Sequence, residues 1–189
     1  MSNSQFGFSA GRSCVTQLLA TLKDCMQNLD ENKPTDVVYL DLQKAFDTVP
    51  HNRLITKLQG YGIKGDLCNW IQDFLSEREQ FVSVGNQSSG YSKVTSGVPQ
   101  GSVLGPTLFI YYINDMPDIL DCLVKIFADD TKIYSQVCDI EDRTKLQENL
   151  NKLTSWTRDW QIQFNNKKCK VLHVGKIIQS TNILWRKYY

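Results

Sequence analysis

The run DVVYLDL, residues 36–42, is apolar on both of the faces a β-strand presents, yet it carries an aspartate, Asp41, near its end. A strand of that pattern belongs in the middle of a sheet, with cover on both sides. An unpaired carboxylate in such a strand is expensive, because burial removes the water that stabilised its charge. The fold must therefore supply this one segment with neighbouring strands, covering helices and something to neutralise Asp41.

A second acidic feature lies in LVKIFADDTKIY, residues 123–134, where Asp129 and Asp130 separate two short apolar runs. Aspartate is common in hairpin turns, and side-chain hydrogen bonds of the turn are one account of the pair. The other account is a metal site. If the strand at 123–128 lies beside the strand of Asp41, three carboxylates meet, and they repel one another unless divalent cations neutralise them. Hard oxygen donors favour Mg²⁺ over zinc. Two such ions roughly 3.5–4 Å apart form the clamp of phosphoryl and nucleotidyl transfer.

The remaining periodicities supply the cover. Val15, Leu18, Leu19, Leu22, Met26 and Leu29 recur at helical steps after Ser13, a capping residue, and Pro34 ends the run. Pro50 opens a second helix that Gly60 and Gly62 close, and Leu67, Trp70, Ile71, Phe74 and Leu75 mark a third. Residues 80–97 alternate around a Gly/Asn/Ser turn as a hairpin does, and the Gly/Pro loop VPQGSVLGP leads into a helix that Pro106 can start. A long helix carries Leu146, Leu150, Leu153, Trp156 and Trp160, and KVLHVG, residues 170–175, forms a last strand. This order predicts an α+β domain with a mostly antiparallel sheet packed by helices.

Composition sets few further limits. The 189 residues are 41% hydrophobic, enough for one core, and the net charge of +1 does not itself advertise nucleic-acid binding. The charge is uneven, with no acidic residue after Asp159 while six lysines and arginines follow. Six cysteines without a C-x-x-C pair, and only two histidines, argue against zinc and for reduced, mostly buried thiols. With no run of eighteen apolar residues and no signal-peptide pattern, neither a membrane span nor secretion is expected, and the expected location is intracellular, nucleus or cytoplasm.

Four segments taken together carry a resemblance. VVYLDLQKAFDTVPH (37–51), SGVPQGSVLGPTLF (96–109), IFADDTKIY (126–134) and WQIQFNNKKCKVLHVGK (160–176) resemble the successive motifs of the reverse transcriptases of non-LTR (LINE-type) retrotransposons. QFGFSAGRSC (5–14) is similar to the segment that precedes them there, so the likeness runs over residues 5–176. It implies a polymerase palm with partial fingers and no complete thumb, and the activity of an RNA-directed DNA polymerase, a nucleotidyltransferase. It also implies two Mg²⁺ ions, with Mn²⁺ as a substitute, and an RNA template, a DNA primer and dNTPs as partners.

The resemblance assigns roles one residue at a time. Asp41, Asp129 and Asp130 become the metal-binding catalytic acids, with the carbonyl of Leu42 a further ligand. Phe46 takes the place of the aromatic that crowds the sugar 2′-position, and core packing is its plainer role. Gln100 and Gly101 fall where the family's loop passes under nucleotide and template. Lys168 matches the lysine beside the departing pyrophosphate, ahead of Lys170, and Arg12 a basic contact to template or triphosphate. Asp47 and His51 are expected to be structural, Asp47 by capping the helix at Pro50. Ser9 stands where many relatives have Arg. The tail at 177–189 resembles neither primer grip nor thumb. The expected division is a reverse transcriptase domain at 1–176 and a divergent tail at 177–189, with a catalytically inactive truncated relic or a co-opted nucleic-acid or protein interaction module as the alternative to an enzyme.

Overall fold

The computed structural model describes residues 1–176, and the expectation for the tail at 177–189 lies outside them. Two compact units are present, one made of Met1–Gln43 and the chain from Ile113 onward, the other of Lys44–Tyr112.

In the first unit, helix α1 (Cys14–Asp30) starts at a capping box: the Ser13 hydroxyl accepts from the Thr16 N–H at 3.1 Å, and the Thr16 hydroxyl accepts from the Ser13 N–H at 2.8 Å. Strand β1 (Thr35–Leu40) follows and is buried at every position but Tyr39, its apolar residues by their pattern and Asp36 against His173 Nδ1 at 2.6 Å. The sheet is completed after the chain returns from the second unit, by β6 (Leu123–Phe127), β7 (Asp130–Gln136) and β8 (Lys170–Val174). Its order is β6-β7-β1-β8 and every pairing is antiparallel. One expectation is corrected here: the neighbour of β1 is β7, not the strand at 123–128. Hairpin closure between β6 and β7 puts the second strand inside, and β6 becomes an edge.

Helix α5 (Ile140–Asp159), capped by the Asp139 carboxylate on the Asp142 N–H at 2.9 Å, buries Leu146, Leu150, Leu153 and Trp156 and packs against β7. On the other side, α1 lies on the sheet by its polar face. Side chains two apart on a strand share a face, and three of these on β7 meet α1 in turn. Lys132 Nζ donates to Gln17 Oε1 at 2.6 Å, the Tyr134 hydroxyl to Asp24 Oδ2 at 2.6 Å, and Gln136 Nε2 to Asn28 Oδ1 at 2.8 Å. Asn28 Nδ2 then donates to the Thr35 hydroxyl at 2.9 Å on β1. The apolar residues that mark this helix in the sequence, Val15, Leu18, Leu19, Leu22, Met26 and Leu29, lie on a flank of the helix about 120° round from that face and stay 42–65% exposed.

The second unit holds α2 (His51–Gly60), α3 (Gly65–Leu75), four two-residue strands and α4 (Leu104–Ile113), whose last residue begins the return to the first unit. The strands β2 (Glu79–Gln80), β3 (Ser83–Val84), β4 (Gln87–Ser88) and β5 (Ser92–Lys93) pair as β2 with β5 and β3 with β4, which is the expected hairpin. Leu54, Leu58, Ile71, Leu75, Leu108 and Phe109 are buried, whereas Leu67 and Trp70 of the third helical stripe are exposed. α4 starts two residues before Pro106. All six cysteines are unbridged, and only Cys25 and Cys68 are buried. Among the described residues no helix is long and apolar enough to cross a membrane.

Burial, and the Asp24 carboxylate that accepts its proton, hold the Tyr134 phenol above the usual tyrosine range. A folded-state value raised above the unfolded value of about 10 gives a stability contribution that is complete below pH 10 and is lost as the pH rises beyond it. The urea unfolding midpoint should therefore fall above about pH 10, and Tyr134→Phe should flatten that alkaline loss while costing about 1 kcal/mol at pH 7.

Candidate active site

The register of β1 on β7 builds the site. Leu40 pairs with Thr131, so Asp41, one residue past the end of β1, follows on toward Asp130 at the start of β7. Asp129 occupies the turn between β6 and β7, next to Ala128, which has φ +54°. That left-handed conformation costs an L-residue roughly 1–2 kcal/mol, and the N-terminal segment holds it. Gln5, 3% exposed, accepts the Ala128 N–H on Oε1 at 3.1 Å and donates from Nε2 to the Ala128 carbonyl at 3.4 Å. Gly7 lies so close that a Cβ there would sit 2.3 Å from the Ala128 nitrogen. Gln5 and Gly7 were not singled out by sequence reasoning. Their signal was their place in QFGF, which a motif shows but a residue-type argument does not.

On the other side of Asp41 the chain is fastened to the 163–165 segment. Gln43 N–H donates to the Gln163 carbonyl and Asn165 N–H to the Asp41 carbonyl, each at 2.7 Å, around a bridge between Leu42 and Phe164. This loop delivers Lys168, whose Nζ stands 3.4 Å from Asp41 Oδ1. The lysine side chain is two-thirds exposed, so the pair itself contributes little, roughly 0–1 kcal/mol. A cavity of about 350 Å³ opens here, lined by Asp41, Asp130, Lys168, Lys132, Gln17 and Tyr39 among others.

Charge crowds this corner. Burial holds the Asp129 carboxyl above the usual aspartate range, the charges of Asp130 and Asp41 push the same way, and Lys168 opposes them. Cys169, beside Asp41, is pushed up chiefly by burial, with a hydrogen bond to the Asp41 backbone opposing and the Asp41 charge adding to the rise, so it stays a thiol.

In the second unit, the 96–101 loop is stitched to residues 46–51. Val98 N–H donates to the Phe46 carbonyl at 2.7 Å, Gly97 N–H to the Val49 carbonyl at 2.8 Å, and Ser96 Oγ to the Asp47 carbonyl at 2.8 Å. Gly97, at φ +88°, passes so near that a Cβ would lie 2.7 Å from the Asp47 oxygen. His51 Nε2 lies 2.8 Å from the Gly97 carbonyl, a structural role as expected. Gln100 Nε2 donates to Asp47 Oδ1 at 2.7 Å, and Gly101 takes φ +80°.

Comparison with known proteins gives this arrangement its family. The family model described as "Reverse transcriptase (RNA-dependent DNA polymerase)" matches residues 1–185. The chain belongs to the reverse transcriptase family. It is 34% identical over 179 residues to the probable RNA-directed DNA polymerase from transposon BS of Drosophila melanogaster and 33% identical over 174 residues to that from the mobile element jockey of the same species. Each match covers 87% of this chain and 19% of the relative, so the chain spans about a fifth of the length of the curated relatives it matches. These mobile-element polymerases bear out the non-LTR resemblance. Telomerase from Candida tropicalis, truncated from its C-terminal domain, shares the α+β fold at TM-score 0.65 and 13% identity, over 94% of this chain and 37% of that one. A second telomerase structure, bound to an RNA fragment, matches at 0.65 and 10%, over 90% and 30%.

Against this reverse transcriptase frame, the residues singled out in the sequence divide between the two units. Asp41, Leu42, Asp129, Asp130 and Lys168 share the first unit with Arg12, and Phe46, Gln100 and Gly101 share the second. Arg12 is committed to the N-terminal segment: it donates to the Asn3 and Gln5 carbonyls at 2.5 and 2.7 Å and lies over the Phe6 ring. Phe46 stacks on Phe109 at 4.6 Å between ring centres, as its packing role requires. Asp47 corrects an expectation, because α2 has no side-chain cap and the Asp47 carboxylate accepts from Gln100 instead.

The carboxylates fit a divalent cation by their chemistry, being hard oxygen donors, with Asp129 raised by burial first and by the charges of Asp130 and Asp41 after it. Among the described residues no three His, Cys, Asp or Glu side chains are gathered closely enough to hold a metal ion, so Asp41, Asp129 and Asp130 are neighbours in charge and not a closed ligand set. Because the Asp129 value is raised on folding, its contribution is favourable below the unfolded pKa and lost as the pH rises through the folded one. Asp129→Asn should therefore raise the unfolding free energy measured in urea at pH 7, by up to about 1 kcal/mol, and the gain should vanish at a pH well below the usual aspartate range. Added Mg²⁺ should stabilise the wild-type chain and leave the variant nearly unmoved.

Proposed function

We propose that this chain carries the nucleotide-adding centre of an RNA-directed DNA polymerase, extending a DNA primer on an RNA template from dNTPs. The observation that carries the proposal is the charge-coupled group of Asp41, Asp129 and Asp130 at the ends of β1, β6 and β7, in a chain of the reverse transcriptase family. Asp41 and Asp129, with the Leu42 carbonyl and Asp130, would hold two Mg²⁺ ions. Such a pair supplies a lowered pKa for an attacking hydroxyl and neutralisation of the leaving phosphates.

The chain's own residues do the rest. Lys168, an exposed ammonium 3.4 Å from Asp41, reaches the same edge of the site and can hand a proton to the departing pyrophosphate. Gln5 and Gly7 fix the turn of Asp129, so that its carboxylate meets substrate without reorganising. Phe46 in the second unit acts as the steric check on a 2′-hydroxyl and so selects deoxynucleotides. Gln100 and Gly101 support nucleotide and template, and Arg12 takes its part toward the template side through the segment it braces.

Primer extension by the purified chain on an RNA template with Mg²⁺ tests this reading. Deoxynucleotide addition should be lost by at least 10³-fold in Asp129→Ala and in Asp41→Asn, and Phe46→Val should admit ribonucleotides. Extension that survives both aspartate substitutions would remove the assignment.

A further inference from the structure

The cavity beside Asp41 has polar lining that the catalytic proposal leaves unused. Besides Asp41, Asp130 and Lys168, it is lined by Gln17 of α1, Tyr39 of β1 and Lys132 of β7. Lys132 comes two residues after Asp130 on one strand, so the two side chains share a face of the sheet. Its Nζ donates to Gln17 Oε1 at 2.6 Å and lies 5.8 Å from the centre of the Tyr39 ring. An ammonium has three N–H donors, and Gln17 takes one of them.

Gln17 is itself incomplete. It is 0% exposed, and the bond from Lys132 fixes which end of its carboxamide accepts. Nε2 is thereby the donor end, and it has no hydrogen-bond partner among the described residues. Leaving such a donor buried and unpaired costs about 1–3 kcal/mol, and the buried polar groups of folded proteins are overwhelmingly paired. Bulk water does not reach this nitrogen, so an acceptor for it comes from the cavity that Gln17 lines.

Charge identifies the class of acceptor. The cavity sets two carboxylates, Asp41 and Asp130, beside two ammonium groups, Lys132 and Lys168. Once a divalent cation occupies the carboxylates, which is the part of the proposed function on which this inference rests, the ammonium groups and the Gln17 N–H are left to an oxyanion. A phosphate is the oxyanion that nucleotidyl transfer brings, and charge-assisted hydrogen bonds hold it. The order of the sheet separates the two lysines: Lys132 lies on β7 and Lys168 on the loop before β8, the strands that flank β1 on its two sides. In an in-line displacement the attacking and leaving oxygens likewise stand on opposite sides of the phosphorus, and Lys168 has the leaving side. We infer that Lys132 and Gln17 form a phosphate subsite on the attacking side, which holds the last phosphodiester of the primer strand.

Fluorescence anisotropy of a labelled DNA primer annealed to an RNA template, with Mg²⁺ and without dNTPs, tests the inference across roughly 50–200 mM salt. Lys132→Gln should weaken binding about tenfold and lower the slope of log affinity against log salt by about one, the loss of a single phosphate contact. Gln17→Glu keeps the acceptor for Lys132 and removes the donor, and it should weaken binding by at least about threefold. Calorimetric binding of inorganic pyrophosphate with Mg²⁺ should be the same in both variants as in the wild type. Should a variant lose its helical circular dichroism spectrum, acylation of the wild-type chain reads the same contact: bound primer–template should slow modification of Lys132, and pyrophosphate should not. Unchanged affinity and salt slope in folded variants would overturn the inference, as would weakening of pyrophosphate binding alone. Primer extension separates this outcome from failure of the catalytic reading. A chain that extends its primer while Lys132→Gln binds like the wild type loses only the subsite, whereas one that binds through Lys132 without extending keeps the subsite and loses the polymerase assignment.

Discussion

Asp41 is the point on which this structure turns. It follows directly on a strand buried on both faces, within which a lone carboxylate would lose its hydration and gain nothing. The antiparallel register with β7 carries it to the edge of the sheet and toward Asp130, and the β6–β7 turn adds Asp129. The outcome is an accumulation of negative charge that one exposed lysine offsets only in part. Much of the surrounding structure keeps this costly corner in place: Gln5 and Gly7 hold a left-handed alanine beside Asp129, and the 163–165 segment pins the backbone of Asp41. Backbone strain held by long-range hydrogen bonds in this way is found clustered at functional sites.

Periodicity read the elements well and their environment less well. The β1 segment was legible because a strand covered on both faces is apolar along its centre, Val37–Leu40, and the aspartate that follows, Asp41, pointed to the site. The order of strands was not, since nothing in residues 123–136 says which arm of a hairpin lies inside. α1 is the sharpest case. Its heptad marked a helix correctly, but the face that meets the sheet is the polar one, because Tyr134, Gln136 and Lys132 offer hydrogen-bonding groups in register with Asp24, Asn28 and Gln17. Hydropathy records where apolar groups are and not what they will touch. Asp47 likewise looked like a helix cap, but it answers Gln100, 53 residues away in the sequence.

The two glycine positions that matter most show a similar division. Gly97 admits no side chain because the Phe46–Asp47 backbone passes against it, and Gly7 admits none because the Ala128 turn does. Both are close approaches between distant parts of the chain. The motifs that contain them were visible in the sequence, whereas the reason for the glycine appears only once both segments are placed.

The central claim is that the register of β1 on β7 turns Asp41 into half of a cation site. Calorimetric titration of Mn²⁺ into the purified chain, wild type against Asp41→Asn, tests it most directly. Binding in the wild type that weakens at least tenfold in the variant, with the fold unchanged by circular dichroism, is the expected result. Equal binding by the two chains would mean that Asp41 is held at the sheet edge for some other reason, and the account of the site would fail at its first residue.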